Sequence, residues 1–152
     1  MRKGWLGTAW CVLALGGWSA AHAGTLVLDD AGTVLDRSQA AMEWDHINPR
    51  YGHRAHAEWI VNAQVNTAAI VGQQGRLVLR LDTPPSMPLA WQVQGDLPLG
   101  TRQAQNQEVV LFEGKMPSPA WRARFHLVAA ADGRDVADTE DLVFHFLWIT
   151  VP

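Results

Sequence analysis

The chain has 152 residues and a formal net charge of −3; nearly half of it is hydrophobic, 18% is charged, and there is a single cysteine. That length suits one domain behind a leader and not two, and the lone cysteine rules out a disulfide scaffold. No basic run is present that would neutralise a row of phosphates, which excludes nucleic acid as a partner class.

Residues 1–23 read as a secretory signal peptide. Arg2 and Lys3 give the positive start, an apolar run follows from Trp5 to Trp18, and Ala21-His22-Ala23 places small residues at both cleavage-determining positions. Gly16, Gly17 and Ser19 interrupt the run before it reaches the roughly 20 residues of a spanning helix, so no membrane span is expected after cleavage. Cys11 leaves with the leader, and the single domain at 24–152 is expected to be exported, periplasmic or extracellular, and to hold by its core alone.

Thr25–Leu28 and Thr33–Leu35 flank the turn-forming Asp29-Asp30-Ala31-Gly32, which predicts a small hairpin. Ala40–Ile47 alternates, with Met42, Trp44 and His46 on one face and Glu43 and Asp45 on the other, until Asn48-Pro49-Arg50-Tyr51-Gly52 breaks it. The next stretch carries helix-forming alanines, yet Ala55, Ala57, Trp59, Val61, Ala63 and Val65 alternate against Arg54, His56, Glu58, Asn62 and Gln64. Period two predicts a long strand there, with Ile60 the exception.

Leu77, Leu79 and Leu81 give a strand ended by Asp82-Thr83-Pro84-Pro85, and Leu89, Trp91 and Val93 give another. Gly95–Gln107 reads as a surface loop, and Val109–Phe112 resumes the sheet. Trp121, Ala123, Phe125 and Leu127 alternate with Arg122, Arg124 and His126, and an acidic connection from Asp132 to Asp141 leads to the last strand. There Leu142, Phe144, Phe146 and Trp148 alternate with Val143, His145, Leu147 and Ile149. About seven to nine strands with regular turn signals predict an antiparallel β-sandwich of immunoglobulin-like or fibronectin-like architecture, with a closed β-barrel as the alternative.

Three constellations could carry function. The first is the last strand, apolar on both faces; Val143, His145, Leu147 and Ile149, with Arg122 and Arg124 as a polar rim, are expected to bind another envelope or secreted protein. The second is Asp45, His46, His53 and His56, whose imidazole and carboxylate groups suit zinc or copper if the turn between two strands brings them together. The third is carbohydrate binding by Trp44, Trp59, Trp91, Trp121 and Trp148, but each falls on the apolar side of its own strand, where a core residue belongs. His126 and His145 are expected to face each other if their strands form a hairpin. Catalysis finds little support: Ser38, Ser86 and Ser118 have no nucleophile-elbow setting, Asp135, Asp138, Glu140 and Asp141 crowd one connection, and the domain has no cysteine. The sequence therefore points to a non-catalytic protein that acts by protein contact and needs no cofactor.

Overall fold

The computed structural model describes residues 24–37, 42–45, 50, 52–82, 88–134 and 142–151. Residues 1–23, where the sequence predicts a leader, His46 and the connection from Asp135 to Asp141 lie outside the described residues. Two antiparallel sheets face each other. One runs in the order β1 (Thr25–Val27), β10 (Val143–Thr150), β5 (Gln74–Asp82) and β8 (Glu108–Lys115). The other runs β2 (Val34–Leu35), β4 (Arg54–Asn66), β9 (Ala120–Asp132), β6 (Ala90–Gly95) and β7 (Thr101–Gln103), with β3 (Glu43–Trp44) also on β4. The sheets do not close into a barrel, so the fold is a β-sandwich.

Among the described residues there is no α-helix, and no helix is long and apolar enough to cross a membrane. The alanines of β4 do not make it helical, because period-two alternation lets Val61, Ala63 and Val65 bury one face while Asn62, Gln64 and Asn66 meet water. Its ladder with β9 runs through every residue from Arg54↔Asp132 to Asn66↔Ala120. Between the sheets, Val61, Val65, Phe125, Leu127 and Trp91 meet Leu77, Leu79, Leu81, Val109, Phe146 and Trp148 in one continuous core. The Trp91 and Phe144 rings meet edge to face, 5.5 Å apart at 79°, the arrangement that aromatic quadrupoles favour.

Several sequence expectations need correction. Thr25–Leu28 and Thr33–Leu35 do not form a hairpin: β1 pairs with β10 and β2 with β4, so the Asp29–Gly32 turn carries the chain from one sheet to the other. That turn is built from the Thr33 N–H donating to the Asp30 carbonyl and the Ala31 N–H donating to Asp29 Oδ1. Gly95–Gln107 is not all loop, since it contains β7, which pairs with β6. Trp91 and Trp148 are buried, and Trp59 and Trp121 pack half-buried against the core, as their register predicts. Trp44 does lie opposite Ala55, on the core side of its sheet, but it is 53% exposed, with its ring set against Gly133 at the margin of the sandwich.

Trp148 fixes one further residue. A Cβ on Gly75, opposite Thr150 on the neighbouring strand, would stand 2.6 Å from the Trp148 ring and 2.6 Å from the Ile149 carbonyl oxygen. No side chain fits there without moving the indole or the backbone. Gly75→Ala is therefore expected to destabilise the domain by about 3 kcal/mol in urea unfolding, at the upper end of overpacking costs. In a Trp148→Phe background, which removes the second ring, the same substitution is expected to cost at least about 0.5 kcal/mol less; strict additivity would refute the contact.

Candidate functional site

β10 is an interior strand on one side and half an edge on the other. On the β5 side it is paired along its whole length, from Val143↔Asp82 to Thr150↔Gly75. On the β1 side the pairing runs only from Thr25↔Ile149 to Val27↔Leu147, and the Leu28 N–H extends it by donating to the Phe146 carbonyl at 2.9 Å. There the chain turns away towards the other sheet. Among the described residues nothing pairs with Val143–His145 on that side. Backbone groups alternate between neighbours in an antiparallel sheet, so the N–H and C=O of Phe144 face the same way as those of Phe146, towards the open side.

Exposed apolar side chains lie along this edge, in the opening and on the short strand that pairs with Leu147–Ile149. Val143 is 46% exposed, and Leu26 and Val27 on β1 are 45% and 64% exposed. Apart from β1, the terminal strands of both sheets are guarded, although among the described residues β9 too is unpaired beyond β6, at Ala120–Arg124. β2 and β3 are two residues each and β7 is three. β8 carries a register irregularity opposite Leu77/Val78, ends in Lys115, and has its Val110 carbonyl taken by Arg102 Nη1 at 2.6 Å. Short edges, irregularities and charges are the usual means by which sheets refuse a foreign strand.

Only some of the residues expected at a contact surface lie together. Val143, His145, Leu147 and Ile149 do share the outward face of β10, but Leu147 is only 3% exposed. Its cross-strand neighbours are Val27 on β1 and Val78 on β5, and Val78, at 1%, is buried as well. Val78 in turn stands between Arg76 and Arg80 on its own face; both are ion-paired to β8, through Glu113 and Glu108. Long cationic side chains lay their stems over apolar neighbours in this way. Leu147 is thus part of a small satellite core, not a docking residue.

Arg122 and Arg124 are corrected too. They project outward from β9, opposite Gln64 and Asn62, in the sheet that lacks β10, and so form no rim around Val143. For the same reason His126 and His145 are not cross-strand neighbours. The connection after β9 crosses between the sheets, which the acidic composition of the segment did not reveal.

Each of these histidines instead meets a carboxylate. His145 Nε2 lies 3.0 Å from Asp82 Oδ2, His126 contacts Glu58, and His56 Nδ1 lies 2.5 Å from Asp45 Oδ1. Asp45 also faces Arg54 at 3.4 Å. Of the four residues expected to hold zinc or copper, the structure thus joins Asp45 and His56. His53 lies at the same end of β4, next to Arg54, but is joined to β9 instead: its carbonyl accepts from the Gly133 N–H and its charge acts on Asp132. His46 is outside the described residues, and among the described residues no three His, Cys, Asp or Glu side chains come close enough to share an ion.

Two carboxylates are tuned by their partners. Donation from the Ile60 N–H to Asp36 Oδ1 at 2.9 Å, with Arg37 beside it, holds Asp36 below the ordinary 3.8. Arg134 does the same to Asp132, through its side chain, its backbone N–H and its charge, and His53 adds to the effect. No protein-family model matches this chain, and no curated protein or solved structure does either.

Val143→Glu is expected to change stability by no more than about 0.5 kcal/mol, whereas Leu147→Glu, which buries a charge, should cost more than about 3 kcal/mol. Chemical denaturation of both variants checks this; equal costs would show that the two positions share one environment. Asp36 and Asp132 are easier to ionise folded than unfolded, so their contribution is fully present above the ordinary carboxylate value and is lost as pH falls through the depressed folded values. Thermal unfolding between pH 5 and pH 2, a range of about three units around the ordinary carboxylate value, should fall less steeply for Asp36→Asn than for the unmodified chain.

Proposed function

We propose that this is a non-catalytic, exported protein of the cell envelope, periplasmic or outside the cell, that works by contact with another envelope or secreted protein. The observation that carries this reading is the half-open edge of β10. An N–H and C=O at Phe144 that no strand among the described residues pairs with, next to the exposed Val143 and on the same edge as Val27 and Leu26, offers backbone hydrogen bonds and apolar contact together, which is what an added strand needs. The guarded state of β7, β8, β2 and β3 supports this choice of edge over the others. The leader at 1–23 supports export, and the chaperone-like, assembly and surface-structure roles that fit the envelope all use contacts of this kind.

A strand laid against Phe144 would read the main chain and so tolerate many sequences, and contact with the exposed Val143 and Val27 would favour apolar side chains at alternate positions. His145, close to Asp82, lies on the same outward face as Val143, beside the opening.

A photoreactive phenylalanine analogue placed at Val143 or Val27, and at Glu113 on the guarded β8 edge as control, tests the reading in intact cells. The expected result is one discrete adduct at the first two positions and none at the control. Adducts that are absent, or the same at all three, would sink it. In the isolated protein the Phe144 amide should also exchange with solvent faster than that of Trp148, which lies in the paired half of the strand.

A further inference from the structure

A separate site lies on the outward face of the other sheet. Four of its strands, β4, β9, β6 and β7, form a continuous ladder there, and the face should be a flat solvated surface. Instead it holds a cleft of about 450 Å³, within the range of about 300–1,000 Å³ typical of ligand sites. The sequence makes the hollow. Ala90 and Ala130 are cross-strand partners, Val128 is opposite Gln92, and these short side chains form a floor where longer ones would fill the space. Gln92 and Gln103, partners across β6 and β7, form one wall, and Asn106 stands beside them at the tip of the turn into β8.

That turn is held in place before any ligand arrives. Asn106 and Gln107 both adopt left-handed backbone, with φ of 52° and 64°, which a glutamine seldom does. Three hydrogen bonds hold Gln107 there. The Leu81 N–H donates to its carbonyl at 3.0 Å, the Trp91 indole N–H donates to its Oε1 at 3.0 Å, and its own Nε2 donates to the Leu89 carbonyl at 3.4 Å. A wall fixed by the core costs little to order on binding.

We propose that this cleft binds a short neutral oligosaccharide. The side-chain amides of Gln92, Gln103 and Asn106 have no hydrogen-bond partner among the described residues, and each both donates and accepts, as sugar hydroxyls do. The alanine and valine floor suits the C–H face of a sugar ring. Among the described residues the only charged side chain lining the cleft, Arg54, already faces Asp45 at 3.4 Å, so none of them offers an uncompensated charge to select an anion. An extended peptide is the poorer match. The backbone groups of β9 and β6 are spent within the sheet, so the cleft offers a peptide chain only side chains. Trp91 is turned into the core and gives no stacking surface, so binding rests on the amides.

The test is a titration of the ¹⁵N-labelled protein with cellotetraose, chitotetraose and maltotetraose up to about 10 mM, which reaches millimolar affinity. At least one sugar is expected to move the side-chain amide signals of Gln92, Gln103 and Asn106. Gln103→Ala, on an exposed edge strand, should weaken that binding about fivefold, the loss of one hydrogen bond. Asn106→Gly, which keeps the left-handed turn, should do the same. The proposal is overturned if no sugar moves these signals, if the movement survives both substitutions, or if only an extended serine- and asparagine-rich peptide produces it. None of these outcomes bears on the photo-adducts at Val143, so the two readings stand or fall separately.

Discussion

The ladder between β4 and β9 is the constraint on which the rest of this structure depends. Both strands are thirteen residues long and paired throughout, while β5 and β10 in the facing sheet have nine and eight residues. A long sheet against a shorter one must overhang. The composition shows where: at one end the core side of the ladder is Ala55, Ala57, Ala129 and Ala131, which bury little area each and need little opposite them. Trp44 lies over this small-residue end, against Gly133, and it remains half in water because the opposite layer does not reach far enough to enclose it.

The same mismatch of lengths accounts for the edge at β10. β1 is three residues long and must leave for the other sheet, where β2 pairs with β4, so it cannot cover all eight residues of β10. Asp29–Gly32 makes that departure sharp, and two bonds on the far side make it firm: the Asn66 N–H donates to the Asp29 carbonyl and the Ile60 N–H to Asp36 Oδ1. A strand that is pulled away by its next partner leaves backbone groups behind it. Among the described residues, the opening beside Phe144 therefore follows from the topology and is not a flaw in the packing of β10.

Period-two alternation made most of the fold legible in the sequence. β4, β5, β6, β9 and β10 all lie where it put them, and the inward registers of Trp91 and Trp148 agree with it. What alternation does not encode is which strand lies beside which. The reading of Thr25–Leu35 as a hairpin, of His126 and His145 as neighbours, and of Arg122 and Arg124 as a rim around β10 all assumed that strands adjacent in sequence pair with each other. Here the chain changes sheet after β1, β4, β5, β7, β8 and β9, and that assumption fails at each of those places. The burial of Leu147 was hidden for a related reason. An apolar residue on an outward face looks exposed until its neighbours are known, and Val78 comes from a strand more than sixty residues earlier.

The amide-lined cleft was the least legible feature, because no single stretch announces it. Ala90 and Ala130 read as ordinary small residues, and Gln92, Gln103 and Asn106 read as the solvated side of strands and a loop. They become a site only when β9, β6 and β7 lie side by side and the core fixes Gln107 in a backbone conformation its side chain does not favour. A domain that needed only a stable sandwich would do better with a residue at 107 that adopts positive φ at less cost, such as glycine or asparagine. Glutamine at that position supplies what those residues lack. Its side chain reaches both the Trp91 indole and the Leu89 carbonyl, and so transmits the rigidity of the core to the wall of the cleft.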